Sequence, residues 1–267
     1  MTPTLQDTIL LEDEAIVVIN KPAGWVVNSS KTYDGPTVQD WFARYTGSTI
    51  EPAVGSGRLT TVSSPYGTPE EIFRERGGIV HRLDKDTSGV LILAKTSEAL
   101  TNLLAQFKTR TVRKTYIALV HGKLVPGQGV IRLPIDRSRT DRKTFTVSVA
   151  GRLSETMYTL LEFFPGLPQG ISVKKGKRYQ GFSLTQLEPK TGRTHQIRVH
   201  MRSIGHPVVG DQAYVGGKRA KVDREWCPRQ FLHAKSLQII HPMTKEEITL
   251  TSELTPDLRE VLHKLQT

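Results

Sequence analysis

Gly78-Ile79-Val80-His81-Arg82-Leu83-Asp84-Lys85-Asp86-Thr87-Ser88-Gly89 runs directly into Val90-Leu91-Ile92-Leu93-Ala94. The second stretch is short and continuously apolar, the pattern of a strand buried in the centre of a sheet. The first is a dense polar loop, and loops held at strand ends are where catalytic groups tend to sit. Asp, Thr, Ser and Gly are also ordinary turn residues, so a plain turn accounts for most of it. It does not account for Arg82 beside Asp84. A guanidinium within a few ångströms lowers a carboxylate pKa by roughly 1–3 and keeps it ionised. An ionised, partly buried Asp can serve as nucleophile or base.

Outward from this point the chain reads mostly as strands. Upstream, Ile9-Leu10-Leu11 and Ile16-Val17-Val18-Ile19 flank an acidic turn, and Asn20-Lys21-Pro22-Ala23-Gly24 closes the second strand. Thr37 with Asp40 is a capping pair for a short helix through Trp41, Phe42 and Tyr45. Periodicity then fades over 47–76, which reads as a long surface excursion. Downstream, Ser97 caps a helix with Leu100, Leu103, Leu104 and Phe107 on one stripe. Thr115-Tyr116-Ile117-Ala118-Leu119-Val120 is the next strand. Others are expected at 129–133, 144–149, 157–164, 181–187, 237–240 and 247–250, with a helix over 193–205. Thr255-Pro256-Asp257 opens a final helix to about Leu265. Many strands with few, scattered helices predict an α+β fold around a large, mainly antiparallel mixed sheet, flanked by helices and loops.

Composition narrows the partner. The 267 residues carry 37 Lys+Arg against 26 Asp+Glu, a formal charge of +11, which favours a polyanion, nucleic acid ahead of membrane. No apolar run approaches the ~18 residues a membrane span needs, and the opening Met1-Thr2-Pro3-Thr4-Leu5 is no targeting segment. A reducing cytoplasm is the simplest home. The single cysteine, Cys227, excludes a disulfide framework and any Cys-based zinc site. His195, His200 and His206 are spaced by five and six, which matches no metal-ligand pair on a helix, so no metal is expected.

Two further clusters carry polar chemistry. In Thr191-Gly192-Arg193-Thr194-His195-Gln196-Ile197-Arg198-Val199-His200, a helix would align Thr194, Arg198 and Arg202 on one stripe, with Gln196 and His200 on its neighbour. A basic solvated face is the bland alternative. In Arg113-Lys114-Thr115-Tyr116, a phenol beside two cations suits either a core position or stacking on a base.

Taken together and in order, these clusters resemble the RluA-type family of RNA pseudouridine synthases. His81 through Gly89 match the family's H-R-L-D-x-x-T-S-G in full. Lys114, Tyr116 and Ala118 match its K-x-Y-x-A, and Thr191 through His200 its T-G-R-x-H-Q-I-R-V-H. Weaker echoes are Asn20 through Gly24, Gly205 through Asp211, and Leu232-His233-Ala234 followed by His241-Pro242. The excursion over 47–76 looks longer than the family norm, and Lys174 through Arg178 looks like an inserted basic loop. The small amino-terminal RNA-binding domain of many relatives is missing, so residues 1–267 read as a single catalytic domain.

The resemblance implies an isomerase that turns uridines of ribosomal or transfer RNA into pseudouridine, as a monomer and without cofactor. It implies Asp84 as the essential carboxylate, Arg198 as its counter-cation and Tyr116 stacked on the target base. Arg82 would help displace that base, with His81, Lys114, Arg193 and Gln196 completing the substrate-binding set. Asp84 either attacks covalently or removes the C2′ proton to give a glycal. Basic groups at 174–178, at Arg137, Arg139, Arg142 and Lys143, and at Lys218, Arg219, Lys221 and Arg224 are expected to meet phosphates. The rival reading is a catalytically silent RNA-binding or chaperone protein on the same scaffold.

Overall fold

The computed structural model describes residues 4–30, 33–47, 67–177 and 179–266. In chain order the elements are β1 (Ile9–Glu12), β2 (Ile16–Lys21), α1 (Val38–Tyr45), α2 (Pro69–Arg76), β3 (Ser88–Ala94), α3 (Ser97–Thr109) and β4 (Arg113–His121). There follow β5 (Gln128–Arg132), β6 (Ile135–Arg137), β7 (Phe145–Val147), β8 (Glu155–Phe164), α4 (Val173–Gly176), β9 (Phe182–Pro189), α5 (Gln196–Ser203) and α6 (Gly217–Asp223). The chain closes with β10 (Leu232–Ile240), β11 (Glu247–Thr251) and α7 (Pro256–Gln266). The fold is α+β, built on a large and mainly antiparallel sheet.

Two compact units divide it, residues 1–112 with 236–252, and residues 113–235 with 253–267; the boundary falls inside β10. In the first unit the strand order is β1-β2-β3-β10, with β11 paired to β10. Every residue of β3 is buried, and its antiparallel register sets Lys21 opposite Gly89 and Asn20 opposite Val90. One face packs Val18, Val90, Ile92, Leu100, Leu103, Leu237 and Ile239 into a single core. In the second unit β4, β9, β8 and β5 pair antiparallel in that order. Period-2 alternation along β4 sends Tyr116, Ala118 and Val120 to one cluster and Ile117 and Leu119 to another.

Several expectations need correction. Most of the 47–76 excursion lies outside the described residues, but its last part is α2, not loop. Thr68 and Glu71 form a reciprocal capping box, Pro69 sits in the first turn, and Gly77 ends the helix at φ 56. Eight residues with apolar Ile72 and Phe73 side by side give too little period to detect. Thr96, rather than Ser97, caps α3, its side chain accepting from Ala99 N. The helix expected over 193–205 spans only Gln196–Ser203, because His195 takes a left-handed conformation (φ 55) and turns the chain first. Thr194 therefore leaves the expected stripe, while Arg198 and Arg202 both lie over the Tyr214 ring. The basic loop at 174–178 contains the single-turn helix α4, and Arg178 lies outside the described residues. Thr37 and Asp40 do form the expected capping box.

Candidate active site

In the first unit the polar loop is anchored at both ends. Ala94 N donates to Gly78 O at 2.9 Å, and Gly78 sits at φ 73, where a Cβ would lie 2.4 Å from Ala94 O and 2.5 Å from the Phe42 ring. Ile79, Val80 and Leu83 are buried, as are Thr87 and Ser88. Thr87 N donates to Asp84 O at 3.1 Å, closing a turn that leaves Asp84 half-buried and Lys85 and Asp86 exposed. His81 faces the scaffold: its Nε2 accepts from Ile92 N at 3.3 Å and its ring stacks on Phe107 at 4.9 Å. Arg82 is exposed.

Underneath lies Lys21, fully buried. Its Nζ donates to Pro22 O (2.8 Å), Trp25 O (2.9 Å) and Lys85 O (3.0 Å), while Gly24 N donates to the same Lys85 carbonyl at 2.9 Å. A buried ammonium is tolerated only with such partners. Lys21 thus ties the Asn20–Gly24 turn to the residue after Asp84.

In the second unit Tyr116 is half-buried on β4, opposite Leu187 of β9. Lys114 Nζ donates to Thr191 O at 3.2 Å. Gln196 is buried with both ends engaged. Its Oε1 accepts from Thr191 Oγ1 (2.6 Å) and Arg193 N (3.0 Å), and its Nε2 donates to Glu155 O and Thr156 Oγ1 (both 2.9 Å). Four bonds saturate the side chain as a clamp on the turn ahead of α5.

Arg198 is 8% exposed and pairs two-pronged with Asp211, itself 1% exposed. Nε donates to Oδ2 at 2.6 Å and Nη2 to Oδ1 at 2.9 Å. Below, the Arg198 guanidinium carbon lies 4.9 Å from the centre of the Tyr214 ring. The Tyr214 hydroxyl accepts from Phe145 N at 2.8 Å and shares a hydrogen bond of 2.8 Å with His195 Nδ1. One turn along from Gln196, His200 is buried. Ser154 donates to Leu133 O, so its Oγ accepts from His200 Nε2 at 2.9 Å, leaving Thr156 Oγ1 to donate to Nδ1 at 2.9 Å. Burial pushes the His200 pKa down, partly opposed by its bond to Leu133 O, so this is a neutral structural imidazole.

This geometry meets the comparisons with known proteins. The RNA pseudouridylate synthase family profile matches residues 15–203, which include the Asp84 loop, β4 and α5. The chain belongs to that family. The synthase is 37% identical over 268 residues to ribosomal large subunit pseudouridine synthase D of Pseudomonas aeruginosa, covering 97% of this chain and 71% of that protein. It is 35% identical over 258 residues to the RNA pseudouridine synthase YlyB of Bacillus subtilis, covering 97% of this chain and 72% of that one. Among solved structures it resembles human RNA pseudouridylate synthase domain containing 1, at 26% identity and a TM-score of 0.64, over 97% of this chain and 89% of that chain. The synthase is an isomerase that acts on RNA, converting uridine to pseudouridine. Among the described residues no helix is long and apolar enough to cross a membrane.

Of the expected site residues, Asp84, Arg82 and His81 share the loop of the first unit; Tyr116, Lys114, Arg193, Gln196 and Arg198 lie in the second. Within the second unit Lys114, Arg193 and Gln196 converge on the turn at 191–196. Two residues escaped the sequence reading: Lys21, beneath the loop, and Asp211, the carboxylate that grips Arg198. Both stand in the weaker echoes, Asn20 through Gly24 and Gly205 through Asp211, which were the signal available.

Proposed function

We propose that the synthase modifies uridines of ribosomal RNA with Asp84 as its essential carboxylate. The observation that carries this is Asp84 itself: a half-buried carboxylate on a turn whose flanking residues are buried and whose backbone is held from below by Lys21. Isomerisation breaks the N1–C1′ bond, joins C5 to C1′, releases the C5 proton and returns a proton to N1. No electrons change hands, so the reaction calls for no redox carrier. Asp84 attacks the nucleoside covalently or removes the C2′ proton, and either route needs it ionised. Tyr116 stacks on the target base, and Arg198 supplies the cation of the site. Arg82, exposed on the same loop as Asp84, fills the space left by the flipped base, whose extrusion costs a few kcal/mol.

Ribosomal RNA is favoured over transfer RNA by the names of the relatives, P. aeruginosa synthase D among them. The two units serve as one catalytic domain, and the protein acts as a monomer in the cytoplasm, with RNA affinity drawn from its +11 charge. The test is tritium release from 5-tritiated uridine in ribosomal and transfer RNA, with pseudouridine positions mapped by carbodiimide adducts. Release from ribosomal RNA that vanishes in Asp84→Asn supports the reading. Release from transfer RNA alone redirects the substrate, and RNA binding with no release from either leaves a silent binding protein.

A further inference from the structure

At the far end of β4, five residues on from Tyr116 and roughly 17 Å away along the strand, the second unit holds a cavity of about 220 Å³. His121, Lys123, Gln180, His206 and Arg219 line it, and no lining residue among the described residues is acidic. We propose that this cavity is an anion site that takes a phosphate group.

Three observations converge on it. The first is charge: Lys123 and Arg219 bring two permanent cations to one cavity, with Gln180 adding an amide donor. Lys123 is exposed and held near the Phe163 ring, its Nζ 5.3 Å from the centroid. The second is His121, only 4% exposed, whose Nδ1 has no hydrogen-bond partner among the described residues. Because Nε2 donates to Asp223, Nδ1 is left as an acceptor, and the hydroxyl of a protonated phosphate, or a water bridging to a phosphodiester oxygen, would supply its partner. The third is the fixing of both imidazoles. His121 Nε2 donates to Asp223 Oδ2 at 2.9 Å, and Asp223 also accepts from Tyr179 Oη (2.6 Å) and Gly210 N (3.0 Å). The carboxylate behind the ring thereby fixes the ring plane and keeps the Nε2 proton. His206 Nδ1 donates to His121 O at 2.8 Å, which orients the second ring over Gly122.

A tetrahedral oxyanion fits such donors better than a planar base, which would need an aromatic platform. The phosphate has two sources: a backbone phosphodiester of the RNA, in which case the site deepens and rests on the proposed function, or free phosphate from solution. β4 alternates, so His121 leaves the sheet on the face opposite Tyr116. A backbone phosphate here would thus be held apart from the target nucleoside.

Histidine-labelled full-length protein, titrated with potassium phosphate at ionic strength held constant with chloride, tests the site. Saturable shifts of the His121 and His206 ring resonances, weakened at least tenfold in Lys123→Ala/Arg219→Ala, are expected. Both replaced side chains reach solvent, and unchanged spectra elsewhere establish folding. Absent shifts, or equal shifts in wild type and variant, overturn the proposal. An eight-residue oligouridylate with hydroxyl ends identifies the source: perturbing the same resonances and competing with phosphate assigns the backbone, while phosphate shifts untouched by it assign the free anion. None of these readouts requires turnover, so their failure is separable from loss of tritium release.

Discussion

Arg198 and Asp211 face each other through two parallel bonds of 2.6 and 2.9 Å, both side chains buried in the second unit. The fork geometry fixes the guanidinium plane, which a lysine ammonium would not do. Because Asp211 also accepts from Ala213 N, the pair fastens α5 to the loop that follows it. The cation assigned to the site is therefore held before any substrate arrives.

Breaking this pair from either side leaves one buried charge. Arg198→Ala or Asp211→Ala should lose about 3–5 kcal/mol of stability, read by urea denaturation. The apolar double replacement Arg198→Met/Asp211→Leu should recover most of it while tritium release stays lost. Recovery of activity along with stability would remove Arg198 from the reaction.

Asp84→Asn should behave oppositely. Its backbone carbonyl makes the turn bond and Asn keeps the size and shape of the half-buried side chain, so the protein should stay folded, with a stability change within the common range of about 0.5–3 kcal/mol. Turnover should fall below detection. A variant that unfolds instead would show that the carboxylate is structural.

Lys21→Met should act on the loop from beneath. It strips a donor from three carbonyls, at a cost of about 1–3 kcal/mol, and leaves Gly24 N as the remaining tie of that turn to Lys85 O. Amide exchange at Lys85 and Thr87 should accelerate relative to β3, and kcat should drop more than KM changes. Unaltered exchange there would mean the loop does not depend on Lys21.

Acid should destabilise the protein in two separate windows. His200 has a lowered folded pKa, so the unfolded state binds the proton more readily. Its contribution is complete above the ordinary imidazole value of 6.5 and declines as pH falls from there through the folded pKa. Asp40 and Asp257 are also lowered, by hydrogen bonds from Thr37 and Ser29 and from Arg229, against burial. Their contributions decline only below 3.8. Denaturation at pH 7.5 and 5 should show a loss that His200→Gln reduces. An equal loss in that variant would place the upper window elsewhere.

Gly78→Ala should be poorly tolerated. A Cβ there meets backbone Ala94 O at 2.4 Å, in a left-handed conformation that disfavours it. Loss of more than about 1 kcal/mol is expected, and a thermal melt equal to wild type would contradict the geometry.

Much of this was readable in the chain itself. The short apolar runs of 16–19 and 90–94 define β2 and β3 because a strand in the middle of a sheet is buried on both faces. Thr37 and Asp40 announce α1 because a capping box is purely local. The His81–Gly89 motif located the Asp84 loop for the same reason: its meaning lies in contiguous residues. What stayed hidden depends on distance. α2 was too short for its period to register, and His195 turned the chain by a backbone angle that no residue type dictates. Lys21 meets Lys85 across 64 positions and Arg198 meets Asp211 across 13, and burial decides such pairs. A charge taken out of water must find a partner wherever the fold places one, and only the folded chain names which.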